Sequence, residues 1–551
     1  MTWSATLQLV VWSLGVAACV SPTSPIATCT SGQTTRLTLT VGAYTSIDPS
    51  SDAGCVTIAA NASMTDSAEY LVIAQSAGGT PGDSAAFQLG SSALTAAVVA
   101  QVVPPETQSS VAAQFDHFLR EAARTGRYPA TPNSLVALPE PNVSASTGPA
   151  VAPPVGDART FKVCANLTCS SLVNVGAIAR AVVGHIAIYV DTLAPKNGLD
   201  SAEVDTLAQL FEHHVYEVDT TAFGNELDTE NNSVVIALMS PTVNQLAPSP
   251  CTNGFVSGFC FSADLDPRFA ASYNHGEVIY TIVADPSSTV SCAHTVAYVK
   301  QMLPGTFLHE VQHLINYTQH VLVQHGRAED DWLDEGLSKY AEELGGRSFL
   351  PGTPTDTATF NSYVYEDLHD AFLYLRATGS HFMLTTTDQS LPDVGAGWLF
   401  VRYVADQFGA AITRTLVQTS LTGTTNVATQ TGQAFEATAS RWALANWVSD
   451  LQVTGLVAPP ELTYTSWQLR SAYAALNARD PTDFPRPFPL APIVSAGSQV
   501  SLSGFLRAGS GAYVRALQAP GAAQFSLLFA ASGTLALPAH IVPRLDIVRI
   551  R

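Results

Sequence analysis

The stretch Gly305-Thr-Phe-Leu-His309-Glu310-Val-Gln-His313-Leu-Ile315 decides how the rest of the chain is read. It carries the pattern H-E-x-x-H. In a helix, positions four apart are separated by about 400° of rotation, so His309 and His313 project from one face a turn apart and can share a tetrahedral metal ion. Glu310 sits one step round, where its carboxylate reaches a water at the metal without binding the metal itself. The flanking Phe307, Leu308, Leu314 and Ile315 are uncharged, as a buried active-site helix requires. An ordinary core helix with two satisfied histidines is the bland reading. It fails because two buried imidazoles beside a buried carboxylate need partners.

A hydrolytic zinc site uses three protein ligands and leaves a fourth position open, so a third ligand is expected downstream. The segment Asp331-Trp-Leu-Asp-Glu335-Gly-Leu-Ser-Lys-Tyr-Ala-Glu342 supplies it. Glu335 lies 22 residues after His313, room for one helix to end, the chain to turn near Gly326 and a second helix to pack alongside. On that second helix Glu335, Lys339 and Glu342 share a side. Asp331 and Asp334 fall near its start, where the helix dipole favours carboxylates. Asp334 is the competing ligand, and Glu335 is preferred because a carboxylate isolated in an apolar stretch needs a partner to stay charged.

His309-Glu-Val-Gln-His313-Leu-Ile-Asn316 followed by Trp332-Leu-Asp-Glu335-Gly-Leu-Ser-Lys-Tyr-Ala-Glu342 resembles the gluzincin metallopeptidases, most of all the hyicolysin family of neutral zinc metallopeptidases. The likeness is specific over residues 295–345 and looser over about 160–445. It implies Zn2+ held by His309, His313 and Glu335, with Glu310 catalytic. Two departures stand out. Thermolysin-like relatives carry an Asp four residues after the ligand Glu, which orients a ligand histidine; Lys339 occupies that place here. The aminopeptidases of the clan carry an oxyanion-stabilising Tyr before the downstream Gly-rich helix, whereas Leu391-Pro-Asp-Val-Gly-Ala-Gly397 has none. Tyr363, Tyr365, Tyr374, His369 and His381 are the oxyanion candidates that remain.

The 551 residues leave room for three or four units at roughly 150 residues each, and 46% hydrophobic with 13% charged residues excludes a disordered or coiled-coil chain. A net charge of −20 argues against nucleic acid or a polybasic membrane contact. Residues 1–18 read as a signal peptide, with an apolar run from Leu9 to Ala18. Val16-Ala17-Ala18-Cys19 resembles a bacterial lipobox, which implies lipidation at Cys19 and a protein lipid-anchored to a bacterial membrane or secreted. Short alternating runs place an N-terminal β domain over 19–105. A helix and a Pro-rich linker follow over 106–158, then an α+β zincin-like metallopeptidase domain over 159–455 and a C-terminal β domain over 456–551, both β domains sandwich-like. Cysteine spacing pairs Cys29 with Cys55, Cys164 with Cys169 and Cys251 with Cys260, leaving Cys292 over. Glu226-Leu-Asp228-Thr-Glu230-Asn-Asn232 alternates oxygen ligands like a calcium loop but lacks the Gly and distal Glu of an EF-hand, and reads as a solvated turn. His213 and His214, adjacent on a helix, diverge too far to chelate.

The expectation is an exported zinc endopeptidase acting on protein or peptide substrates, with Glu310 as general base. Its membrane contact would run only through a lipid anchor at Cys19. The rivals are a surface-anchored binding protein with a non-catalytic zincin domain, and a zinc hydrolase of non-peptide amides or esters.

Overall fold

The computed structural model describes residues 29, 34–50, 54–91, 110–129, 150–351, 356–386, 389–531 and 535–551. The expected signal peptide, Cys19 and residues 139–149 of the linker lie outside them. The described chain is a multidomain α/β protein with one mixed six-stranded sheet, a large helical assembly and two five-stranded sheets.

In the six-stranded sheet the order is Gly258–Cys260, Val278–Thr281, Val235–Met239, Ile186–Asp191, Leu172–Val183, Ala158–Cys164. The three runs of β-branched and aliphatic residues expected as strands form its parallel centre, with both faces covered, as a parallel sheet requires. Gly258–Cys260 adds antiparallel to one edge. The helix expected between the first two central strands starts at Ser201, passes through a widened turn over Phe211–Val215 and continues to Phe223. The HExxH residues fall inside one helix, Val296–Tyr317, with Phe307, Leu308, Val311, Leu314 and Ile315 in the core.

A second helix, Asp331–Arg347, packs beside it, as the spacing requires. The connection is pinned by Glu329, whose carboxylate accepts from the backbone N–H groups of Asp330 and Gly423 and from Asn426. Two glycines set how closely the next helix, Leu391–Phe408, can lie. A Cβ on Gly336 would stand 2.8 Å from the carbonyl oxygen of Gly397, and one on Gly397 would stand 2.8 Å from that of Trp332. The backbones touch where any side chain would hold them apart.

The two terminal β segments are not separate domains. One sheet runs Thr35–Leu37, Cys55–Ile58, Phe525–Ala530, Ser84–Ser91, Ser501–Arg507; the other runs Ile493–Ala496, Gly511–Gln518, Ala68–Ser76, Pro543–Arg549, Tyr44–Ile47. Each sheet interleaves strands from both ends of the chain. The expectation of two domains rested on distance along the chain, but the strands of each end find their hydrogen-bonding partners in the other: Ser84–Ser91 pairs with Ser501–Arg507, and Ala68–Ser76 with Gly511–Gln518 and Pro543–Arg549. Ala68–Ser76 is buried along its whole length. Tyr70, Val72 and Ala74 point into the sandwich, while Leu71 and Ile73 point into the larger core that the helices share. The expected boundary at 456 moves accordingly: Leu462, Leu469, Tyr473 and Leu476 belong to the helical core, and strand structure resumes only at Ile493.

The disulfides Cys29–Cys55 and Cys164–Cys169 are present. The third joins Cys251 to Cys292, with Cα atoms 5.9 Å apart, and Cys260 is the free, buried thiol. The expected Cys251–Cys260 bridge fails because Cys260 belongs to the edge strand and faces the site instead.

Candidate metal centre

His309 Nε2 lies 3.1 Å from His313 Nε2, and the Glu335 carboxylate reaches them at 3.4 Å each, Oε2 to His309 and Oε1 to His313. An ion bonded to three ligands at about 2.0–2.1 Å in tetrahedral geometry holds them about 3.3–3.4 Å apart. The two nitrogens and the carboxylate, which turns a different oxygen to each ring, stand near that spacing, and among the described residues this cluster could hold a metal ion, with one ligand atom from each residue within 4.8 Å of the others.

Each ring is turned by its other nitrogen. His309 Nδ1 donates to Glu342 Oε1 at 2.8 Å, and His313 Nδ1 faces Asp334 Oδ1 at 3.1 Å. Asp334, the competing ligand, thus lies behind His313, on the side away from the centre. Glu342 does for His309 what an Asp at position 339 would have done. It is two helical turns beyond Glu335 and on the same face. Lys339 Nζ lies 3.1 Å from Glu342 Oε1 and 3.5 Å from Asp367 Oδ1, so the lysine offsets the acid that holds His309 and the buried acid beside it.

The electrostatics favour a cation. Burial disfavours a charged His309, yet Glu335 and Glu342 outweigh it and lift its pKa well above the ordinary value. Burial also opposes ionisation of Glu335, but the two imidazoles hold its carboxyl well below the usual range. Asp334 is similarly brought down to about 2, burial being outweighed by His313 and Arg120. Glu335 Oε1 is buried without a hydrogen-bond partner. The donor set and this orphaned oxygen both fit a divalent ion.

Glu310 is held apart from this cluster, its Oε2 accepting from the backbone N–H of Cys260 at 2.9 Å. The edge strand thus sets the orientation of the proposed base. Its Cys260 thiol is pushed well up by burial and by the charge of Glu310, and stays neutral.

The residues that sequence reasoning missed come from Val111–Thr125, the helix assigned to a linker region. Ser110 caps it, and Phe115 packs edge-on against Phe259 of the edge strand at 4.9 Å. Arg120 then reaches Asp334 at 3.2 Å and Glu335 Oε1 at 3.8 Å. Asp116, one turn earlier on the same face, lines the cleft; burial and the charges of Glu335 and Glu310 raise its carboxyl to about 7. The i, i+4 spacing of Asp116 and Arg120 was visible, but nothing local tied this helix to residues more than 200 positions away.

The cleft over the cluster has a volume of about 790 Å3 and is lined by Asp116, Gly258, His309, Glu310, Glu335 and Tyr363, among others. Of the oxyanion candidates, Tyr363, Tyr365 and His369 line it. Tyr374 is buried against Ser510, and His381 lies beside Asp393, both away from the cleft. His214 stacks on Phe349. No protein-family model matches the chain, and a search of curated proteins gives no match.

Proposed function

We propose that the protein is an exported zinc-dependent endopeptidase of gluzincin type, similar to the hyicolysin family. The single observation that carries this reading is the convergence of His309 Nε2, His313 Nε2 and the Glu335 carboxylate, the nitrogens 3.1 Å apart and each 3.4 Å from a different carboxylate oxygen, with Glu310 beside them. Mixed imidazole and carboxylate donors in a tetrahedral array favour zinc. When bound, zinc supplies Lewis-acid polarisation of the scissile carbonyl and lowers the pKa of water at the site towards about 7.

The chain's own residues do the rest. Glu342 and Asp334 fix the two rings so that both Nε2 lone pairs face the centre. Glu310, aimed by the Cys260 N–H, takes the proton of the attacking water and delivers it to the leaving nitrogen. Arg120 compensates the buried charge of Asp334 and Glu335 from behind. Gly258 and the segment before it line the cleft, so an extended peptide can lie along this sheet edge as a further strand.

The three disulfides support an oxidising, extracytoplasmic setting. Anchoring at Cys19 remains part of the proposal. Among the described residues no helix is long and apolar enough to cross a membrane.

The test is digestion of a peptide library by the purified chain, with metal content measured alongside and products read by mass spectrometry. One zinc per chain and internal cleavage that a chelator abolishes and zinc restores are expected. A zinc-loaded chain that cleaves nothing in the library overturns the enzyme assignment.

A further inference from the structure

The cleft over the metal centre carries more negative charge than the hydrolytic reading uses. Among the described residues that line it are seven carboxylates against one lysine and one arginine. Both cations are already engaged. Lys339 is held by Glu342 and Asp367, and the Arg479 guanidinium lies over the Tyr365 ring, 5.7 Å from its centroid, with its charge acting on Asp480. Five of the seven acids are engaged as well. Glu335 faces the two imidazoles, Glu310 accepts from the Cys260 N–H, Glu342 holds His309, Asp370 lies 3.6 Å from His369, and Asp483 accepts from the Tyr365 hydroxyl at 3.0 Å.

Asp116 and Glu366 remain. Neither carboxylate takes part in a hydrogen bond or ion pair among the described residues. Asp116 stands on the helix Val111–Thr125 one turn before Arg120, whose guanidinium reaches Glu335 at 3.8 Å, so the helix sets this acid near the metal centre without making it one of the ligands. Glu366 stands on another helix, Thr357–Arg376, which also brings Tyr363 and His369 to the cleft, and it is exposed. An unpaired carboxylate on the wall of a cleft repels anionic substrates and attracts cationic ones, and the low-dielectric walls focus its field on whatever enters. We propose that the cleft selects peptides with a lysine or arginine side chain near the scissile bond, received by Asp116 and Glu366. The proposal names the substrate class of the peptidase reading and rests on it. Each acid acts by itself, and no shared site is needed. A peptide lying as a further strand along Gly258 presents side chains over its whole length and an α-amine only at its end, which makes the side chain the source of the cation.

The test uses the zinc-loaded full chain and peptides of one length, acetylated and amidated, that carry Arg, Lys, Gln or Glu at one position. Cleavage is read as kcat/KM on the parent. Binding of the same peptides, fluorescently labelled, is read by anisotropy on Glu310→Gln and needs no turnover. Arg and Lys peptides should be bound and cleaved about tenfold better than Gln, and better still than Glu, with a gap that narrows as salt is added. Asp116→Asn and Glu366→Gln, each made in both backgrounds, should cut the Arg-to-Gln ratio about threefold or more. Asp205→Asn removes the same charge from an exposed position on Ser201–Leu210, away from the cleft, and should leave the ratio unchanged. Glu366 is exposed, so its substitution leaves the core intact. Equal binding of Arg and Gln peptides overturns the proposal, as does a ratio that survives in both cleft variants or falls equally in Asp205→Asn. A neutral peptide with a free N-terminus that binds as tightly as the capped Arg peptide gives the cation to the α-amine and overturns the side-chain source. A parent that cleaves none of the peptides, while the cleft variants still lose selective binding, overturns the peptidase reading and leaves the charge selection standing.

Discussion

Glu310 and Glu335 are both buried acids within the same cleft, yet their surroundings give them different tasks. Glu335 faces two imidazoles, whereas Glu310 is tethered by one backbone N–H. Glu310→Gln should therefore keep one zinc per chain and lower kcat by about 10²-fold or more, while Glu335→Ala and His313→Ala should lose zinc and activity together; metal analysis beside a casein assay separates the two classes. Glu342→Gln keeps the shape but weakens the hold on His309 Nδ1, and zinc affinity measured against a competing chelator should fall about 10- to 100-fold. That His309, His313 and Glu335 come together, with Glu310 close by, was legible because two helices with this spacing bring them to one place. Asp116, Arg120 and the orienting role of Glu342 were not, since a carboxylate that acts through a ring or from another helix leaves no local signature.

At the scale of elements, the centre depends on how closely three helices approach. Gly336 follows the proposed ligand Glu335 directly and meets the Gly397 carbonyl with no room for a methyl group. Gly336→Ala should cost about 1–3 kcal/mol, seen as a lower denaturant midpoint with unchanged m-value, and should weaken zinc binding because Glu335 moves with its helix. The central strands and the HExxH and Glu335 helices were readable from β-branched runs and helical period. The edge strand was not: Gly258–Cys260 is three residues long, too short for any alternation, and its role comes from the helix and strand it lies between. The same blindness misassigned its cysteine, since spacing sees only neighbours in sequence and Cys292 reaches Cys251 across a 41-residue separation.

At the scale of the whole molecule, the sandwich docks on the helical unit through a seam that holds a buried acid. Asp546, on Pro543–Arg549, is 0% exposed, and burial raises its carboxyl to about 7 from 3.8, with Ser46 and Ser440 opposing the rise. A carboxyl raised on folding binds its proton more tightly in the folded state. Its contribution to stability is fully present below pH 3.8 and is gone once pH has passed about 7. Asp546→Asn should therefore melt above the parent at pH 8, with the gap closing towards pH 4 in a series of thermal scans. The strand character of both chain ends was legible, but their union was not, because pairing between positions some 450 residues apart is decided by which faces remain uncovered. That union has a temporal consequence. Ala68–Ser76 lies between Gly511–Gln518 and Pro543–Arg549, so this early strand must wait, unsatisfied along both edges, until strands more than 430 residues later have been made. The sandwich cannot settle piecemeal as it emerges, and its slowest folding step should be the capture of Ala68–Ser76 by these late strands.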